Sequence, residues 1–169
     1  MALLAVLALL LQGSAWADAG LEPGAFSAPV RTFSGAGVTL SYPEGATAAM
    51  NVLDRAIVNL EGLKYTVAAW KGKAFRSYEE QRRALRAIEA RVGDLRLFET
   101  YESTFKGARC LVAKQAPSPE SYFPVCDLFV YPDADTLVYI SALRNSVKGS
   151  LKKLLRHQDV LAVLHSVTW

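Results

Sequence analysis

Two histidines, two cysteines and a few scattered carboxylates are the residues of this 169-residue chain whose types could carry chemistry. A nucleophilic triad needs a base, and only His157 and His165 offer an imidazole. They stand eight residues apart in a segment that reads as helical, roughly 12 Å along the axis, too far to share a metal. Ser166 adjoins His165, but sequence neighbours do not face one another on a helix. A satisfied or solvent-facing role is therefore expected of each imidazole. Glu44, Glu99, Glu102 and Asp127 could still be assembled into an acid–base pair, because such pairs need only proximity in space. No nucleophile elbow, phosphate-binding loop or His-Glu-x-x-His run occurs. The expectation is a non-enzymatic chain with no catalytic residue, cofactor or metal, and a carboxylate-based hydrolase as the catalytic alternative.

The first 17 residues explain how the cysteines should behave. Ala2 to Leu11 is an uncharged apolar run, and Ala15-Trp16-Ala17 closes it with the small-x-small triplet of a secretory peptidase site. The run is short for a membrane span, which needs roughly 20 residues. Met1 to Ala17 is thus expected to be a cleaved leader, which makes the mature chain periplasmic or secreted, with no membrane span. In an exported chain Cys110 and Cys126 most simply form one bridge. An antiparallel pair about a turn centred on Ser118 would set the two opposite each other, within the Cα separation a disulfide accepts. Such a bridge would stabilise the fold by about 3 kcal/mol in the chain-entropy model. A redox pair or two metal ligands are the competing roles, but the first usually has Cys-x-x-Cys spacing and the second needs further ligands.

The elements that must position these residues follow from periodicity. Cleavage would leave 152 residues, enough for one domain that buries about 70% of its unfolded surface. Residues 18–32 read as a Gly, Pro and Ala-rich arm, and residues 33–169 as a single domain. Val38, Leu40 and Tyr42 alternate with polar residues, giving a half-buried strand that Pro43 stops. Thr47 to Asp54 suggests one or two helical turns. Ala56 to Leu60 and Leu63 to Trp70 read as strands joined at Glu61-Gly62. Ser77 and Glu80 have the spacing of a capping box, and Tyr78, Leu85, Ile88 and Val92 form the apolar stripe of a helix that Gly93 ends. Leu95 to Phe105, Ala108 to Ala116, Phe123 to Tyr131 and Thr136 to Leu143 then read as a four-strand antiparallel meander, because the connections are too short for parallel crossovers. Gly149-Ser150 opens a final helical segment with Leu151, Leu154, Leu155, Leu161 and Leu164 on its apolar face and a break near Asp159. The fold class is α+β, one antiparallel sheet packed by helices.

A first strand ending in Tyr42-Pro43, a central helix, a four-strand meander and a closing helix through Val160-Leu161-Ala162-Val163-Leu164-His165-Ser166 make the pattern similar to that of the PsbP/DcrB-like α/β sandwich. The resemblance spans most of Phe33 to Trp169 and departs from the family where Glu44-Gly45-Ala46 stands in place of Gly-Trp. It implies a non-enzymatic scaffold of the kind that serves as assembly factor, secretion adaptor or binding partner. Some exported relatives resemble immunity proteins that block toxins aimed at the cell wall.

Net charge is +3, too small an excess to argue for nucleic acid. Arg82, Arg83, Arg86 and Arg91 share one segment, and Lys148, Lys152, Lys153 and Arg156 another; both read as solvated helix faces. The expected function is an exported protein-binding domain, with an immunity or inhibitor protein against a secreted cell-wall-targeting toxin as its sharpest form. A periplasmic small-ligand carrier or assembly factor is the alternative. Aromatics and Arg dominate interface hot spots, which makes Trp70, the Arg82, Arg83 and Arg86 face, and Tyr122 and Phe123 of the Pro-rich turn the candidate partner contacts.

Overall fold

A computed structural model describes residues 18–118, 123–146 and 149–169. The expected leader, Met1 to Ala17, lies outside the described residues. Nine strands and three α-helices follow in the order β1 (Val30–Gly35), β2 (Val38–Pro43), β3 (Thr47–Met50), β4 (Ala56–Leu60), β5 (Tyr65–Lys73), α1 (Tyr78–Val92), β6 (Phe98–Phe105), β7 (Ala108–Gln115), β8 (Val125–Tyr131), β9 (Thr136–Arg144), α2 (Leu151–Leu154) and α3 (Gln158–Ser166). The architecture is α+β, as the element pattern indicated. Strands β3-β4-β5-β9-β8-β7-β6 make one seven-stranded sheet with every neighbouring pair antiparallel, and β1-β2 a separate hairpin. The join between the two meanders is β5 against β9, with Trp70 opposite Tyr139.

Strand alternation sends one set of side chains to each face. The first face is aliphatic: Val58, Val67, Val112, Leu128, Val130, Val138 and Ile140 are fully buried there with Leu161 and Leu164 of α3 and Leu40 of the hairpin. Each such side chain stabilises the fold by roughly 1.5–3 kcal/mol through burial alone. The hairpin is tied to this layer by a bridge between Thr39 and Thr168 and by the Ser166 hydroxyl, which donates to the Ser41 carbonyl at 3.1 Å. Residues before β1 also reach the core, since Ala19 and Leu21 are buried and the Tyr101 hydroxyl donates to the Ala19 carbonyl at 3.0 Å.

On the second face α1 packs against β6 and β7. Its stripe behaves as expected: Tyr78 and Leu85 are buried against Phe98, Leu111 and Tyr131, with Ile88 and Val92 beside them. The capping box forms in full, the Ser77 amide donating to Glu80 Oε2 at 2.9 Å and the Glu80 amide to Ser77 Oγ at 3.3 Å. Gly93 terminates the helix at φ 71°, a left-handed position that glycine occupies without a Cβ penalty.

Several local expectations are corrected. Thr47 to Met50 is an edge strand rather than helix, because pairing of Ala48 with Val58 overrides the helix propensity of the Ala-Ala-Met run. The tip after it is an Asx turn in which Asn51 Oδ1 accepts from the Leu53 and Arg55 amides, both at 3.0 Å. Val30 to Gly35, read partly as arm, is a strand. Its two-residue turn at Ala36 and Gly37, with φ 56° and 71°, has the primed geometry that matches strand twist. Leu95 to Leu97 is a turn held by Asp94, so β6 starts only at Phe98.

The disulfide is the largest correction. Gln115 pairs with Val125, so the β7-β8 hairpin is centred at position 120 rather than at Ser118. Cys110 consequently faces Val130 and Cys126 faces Lys114. The cysteines keep the same side of the sheet but stand four residues apart along it, about 13 Å, beyond the reach of a bridge. Both are buried thiols, not a disulfide. Burial, together with the charge of Asp127, pushes the Cys126 thiol up to about 12, so it stays protonated and unreactive.

Candidate functional site

Helix α1 lies mainly over β6 and β7 and reaches β8 through Tyr78, whose ring centroid is 5.5 Å from that of Tyr131, so that Trp70, Phe129 and Tyr139 beside this cluster are only partly buried. Cross-strand register lines up Trp70, Tyr139 and Phe129 in one row, and Ile57, Ala68, Ser141 and Asp127 in the next. The Tyr139 ring centroid lies 6.4 Å from that of Trp70 and 5.2 Å from that of Phe129. Phe75 extends the row past β5, with its ring 6.1 Å from Trp70. The Asx-turned tip of β3-β4 flanks the row through Arg55, whose guanidinium carbon stands 5.8 Å from the Tyr139 centroid. Two apolar side chains project from that same tip: Val52 is 98% exposed and Leu53 65%, while Phe75 is 89% exposed. Aromatic rings in a row, a guanidinium over one of them and exposed aliphatic side chains on the same turn as that guanidinium give the composition that fills interface cores.

The polar centre of the patch is Asp127. The Tyr139 hydroxyl donates to Asp127 Oδ1 at 2.7 Å and Ser141 supplies a second side-chain bond. Burial raises the Asp127 carboxyl above the ordinary aspartate range, against the opposing pull of both hydroxyls and the Arg55 charge. Burial and the Asp127 charge likewise raise the Tyr139 phenol. Arg55 makes no ion pair with any described residue, so its guanidinium is available at the edge of the patch.

Among the described residues, Trp70 is the one sequence-derived contact residue that falls in this patch. Arg82 and Arg86 are committed on α1: Arg82 pairs with Glu79 at 2.7 Å and Glu102 at 3.1 Å, and Arg86 pairs with Glu89 at 2.6 Å. Burial works against the Glu89 charge, but Arg86 and the Thr100 amide outweigh it and hold the carboxyl below its usual range. Arg109 joins the network, 3.2 Å from Glu79 and 3.6 Å from the Tyr78 ring centroid, and burial with the Glu102 carboxylate pushes the Tyr78 phenol up to about 12. Arg83 is exposed on the same helix. Tyr122 lies outside the described residues. Phe123 precedes β8 at the far end of the sheet from Phe75, about 20 Å along the strands from the Trp70 row. The five described contact residues therefore do not make one surface.

The catalytic candidates are also dispersed. Glu44 pairs with Arg31 at 2.6 Å on the hairpin. Glu99 points to the aliphatic side of β6, while Glu102 is held by Arg82 and Tyr78, two strands away from Asp127. His157 caps α3, its Nδ1 accepting from the Val160 amide at 3.4 Å while Nε2 donates to Glu61 Oε1 at 2.7 Å. His165 donates from Nδ1 to the Leu161 carbonyl at 2.8 Å. No three His, Cys, Asp or Glu among the described residues group as metal ligands.

Tyr139, Phe129, Arg55, Phe75, Val52 and Leu53 were missed by sequence reasoning. A signal for the first two exists in the alternation of β8 and β9. Cys126, Leu128 and Val130, with Val138 and Ile140, make one wholly apolar face, whereas Asp127, Phe129, Tyr139 and Ser141 make a mixed one. A mixed aromatic and polar face marks the side that a helix does not fully cover. No protein-family model matches the chain, and no curated protein matches it.

Proposed function

We propose that the chain is an exported, non-catalytic domain that binds a protein through the Trp70-Tyr139-Phe129 face. The single observation that carries this is the aromatic row left half-open on the sheet and extended by the exposed side chains of Val52, Leu53 and Phe75. Covering exposed apolar side chains removes them from water at a gain in free energy, and rings held on a sheet pay little entropy on binding. Arg55 sets the polarity of the partner, which presents an acidic group beside an apolar anchor. The class to test first is a secreted enzyme aimed at the cell wall, neutralised by this chain as an inhibitor or immunity protein. The resemblance to PsbP/DcrB-like sandwiches supports that class. A small-ligand carrier would need room between the sheet and α3, a layer filled by Leu40, Val67, Leu128, Ile140, Leu161 and Leu164.

The test compares capture from a periplasmic extract by the parent chain, by Leu53→Asp with Phe75→Asp, and by Arg83→Asp. Both sets of positions are exposed, so the fold is retained. A stoichiometric partner lost with the first variant and kept with the second, whose own hydrolytic activity the parent chain blocks, is the expected outcome. Capture that is equal for all three chains overturns the assignment.

A further inference from the structure

A second concave site lies beside the β4-β5 turn. An open cleft of about 440 Å³ is lined by Tyr65, Ser150, Lys152, Lys153, Arg156 and His157. The short helix α2 ends at Leu154, and α3 starts anew at Gln158, so the break between them brings Arg156 and the cap His157 to the same cleft as the two lysines. The sequence pattern gave these cations to a solvated helix face; the break makes them converge instead.

The charge of the cleft is unbalanced. Lys152, Lys153 and Arg156 are exposed, and none pairs with a described carboxylate. Glu61, the carboxylate at the rim, accepts from His157 Nε2 at 2.7 Å, and Asp159 accepts from the Ser27 amide at 2.7 Å and its hydroxyl at 2.6 Å. The wall is aromatic, with the Tyr65 and His157 rings 4.3 Å apart. Arg144, opposite Tyr65 in the β5-β9 ladder, places its guanidinium carbon 5.6 Å from the Tyr65 centroid, and its Nε and Nη1 are buried without a hydrogen-bond partner among the described residues. Three unpaired cations around a concavity, with a fourth close behind an aromatic wall, raise the local potential and concentrate anions.

We infer that this cleft binds a phosphate-bearing anion. Its phosphate lies among Lys152, Lys153 and Arg156, and its attached body lies on the Tyr65 and His157 rings. Several converging donors suit a group with two or more charges and several acceptor oxygens better than a single carboxylate. The volume falls in the range of small-molecule sites, roughly 300–1,000 Å³, and exceeds what one bare phosphate fills. The site is separate from the aromatic face, so its fate does not depend on the protein-binding function.

The test uses the protein at low ionic strength with two probes, inorganic pyrophosphate and vesicles containing phosphatidylglycerol, beside vesicles of phosphatidylcholine alone. Two variants remove the same charge: Lys152→Gln, Lys153→Gln and Arg156→Gln together, and Lys71→Gln, Lys73→Gln and Arg83→Gln together. Saturable pyrophosphate binding, weakened about tenfold or more by the first variant and little by the second, supports the site with a soluble phosphate as its source. Binding only to phosphatidylglycerol vesicles, with the same dependence on the first variant, supports it with a headgroup as the source. Binding to neither probe, or equal weakening by both variants, overturns it. Thermal unfolding of each variant checks that these exposed substitutions leave the fold intact.

Discussion

Asp127 carries a carboxyl that folding pushes toward its protonated form, and this has a definite sign in stability. The native chain binds that proton more tightly than the unfolded chain does. Its contribution is therefore fully present below the ordinary value of 3.8 and is lost as the pH rises through the raised native value. Asp127→Asn keeps an acceptor for the Tyr139 hydroxyl and removes the charge. Its urea midpoint is expected to exceed that of the parent at pH 7, with the gain shrinking toward pH 3.8. A variant less stable at both pH values contradicts the desolvation argument. The cysteines give a second outcome at this scale. Alkylation of the chain after unfolding, without reductant, is expected to modify both Cys110 and Cys126, and to modify neither before unfolding because both are buried. A chain that takes up no alkyl group even when unfolded contains the bridge that the β7-β8 register forbids. The bridge expected from sequence failed for a specific reason. Pro117 and its neighbours marked a turn, but a turn's presence does not fix its midpoint, and a shift of two positions moves the facing partner by four.

Among the elements, α1 was the most legible, because its signals are local. Ser77, Glu80 and Gly93 act within a few residues of themselves, and the stripe from Tyr78 to Val92 needs only the helical period. Removing the cap in Ser77→Ala is expected to cost about 1 kcal/mol, or about 2–4 °C in melting temperature for a chain of this size. Calorimetry of the variant measures this, and an unchanged transition would mean that packing on β6 and β7 alone holds the helix. Strand β3 was illegible for the opposite reason. Ala48, Ala49 and Met50 favour a helix, and only pairing with Val58, Ile57 and Ala56 makes them a strand. The break between α2 and α3 was readable, but its consequence was not. That Lys152, Lys153, Arg156 and His157 share a cleft with Tyr65 depends on a packing between segments more than eighty residues apart.

At the scale of the molecule, the two faces of the sheet are covered differently. The aliphatic face is sealed by α3 and the β1-β2 hairpin, and Leu128→Ala in its centre is expected to cost about 2–5 kcal/mol because the cavity left there cannot close fully. The mixed face is covered by α1 mainly above β6 and β7, and Trp70, Phe129 and Tyr139 beside it stay partly buried. The class of fold was legible from the meander and the helices, but the order β5-β9 was not, because pairing of strands more than sixty residues apart leaves no local mark. Yet this pairing builds the candidate site by setting Trp70 beside Tyr139. The most direct measurement is photo-crosslinking in intact cells from a benzophenone side chain placed at position 75, next to Trp70, and in parallel at position 83 on α1. A discrete adduct with a different protein from position 75, absent from position 83, is the expected result. Adducts of equal yield from both positions, an adduct that is only two copies of this chain, or none from position 75, would contradict a partner-binding role for the aromatic face.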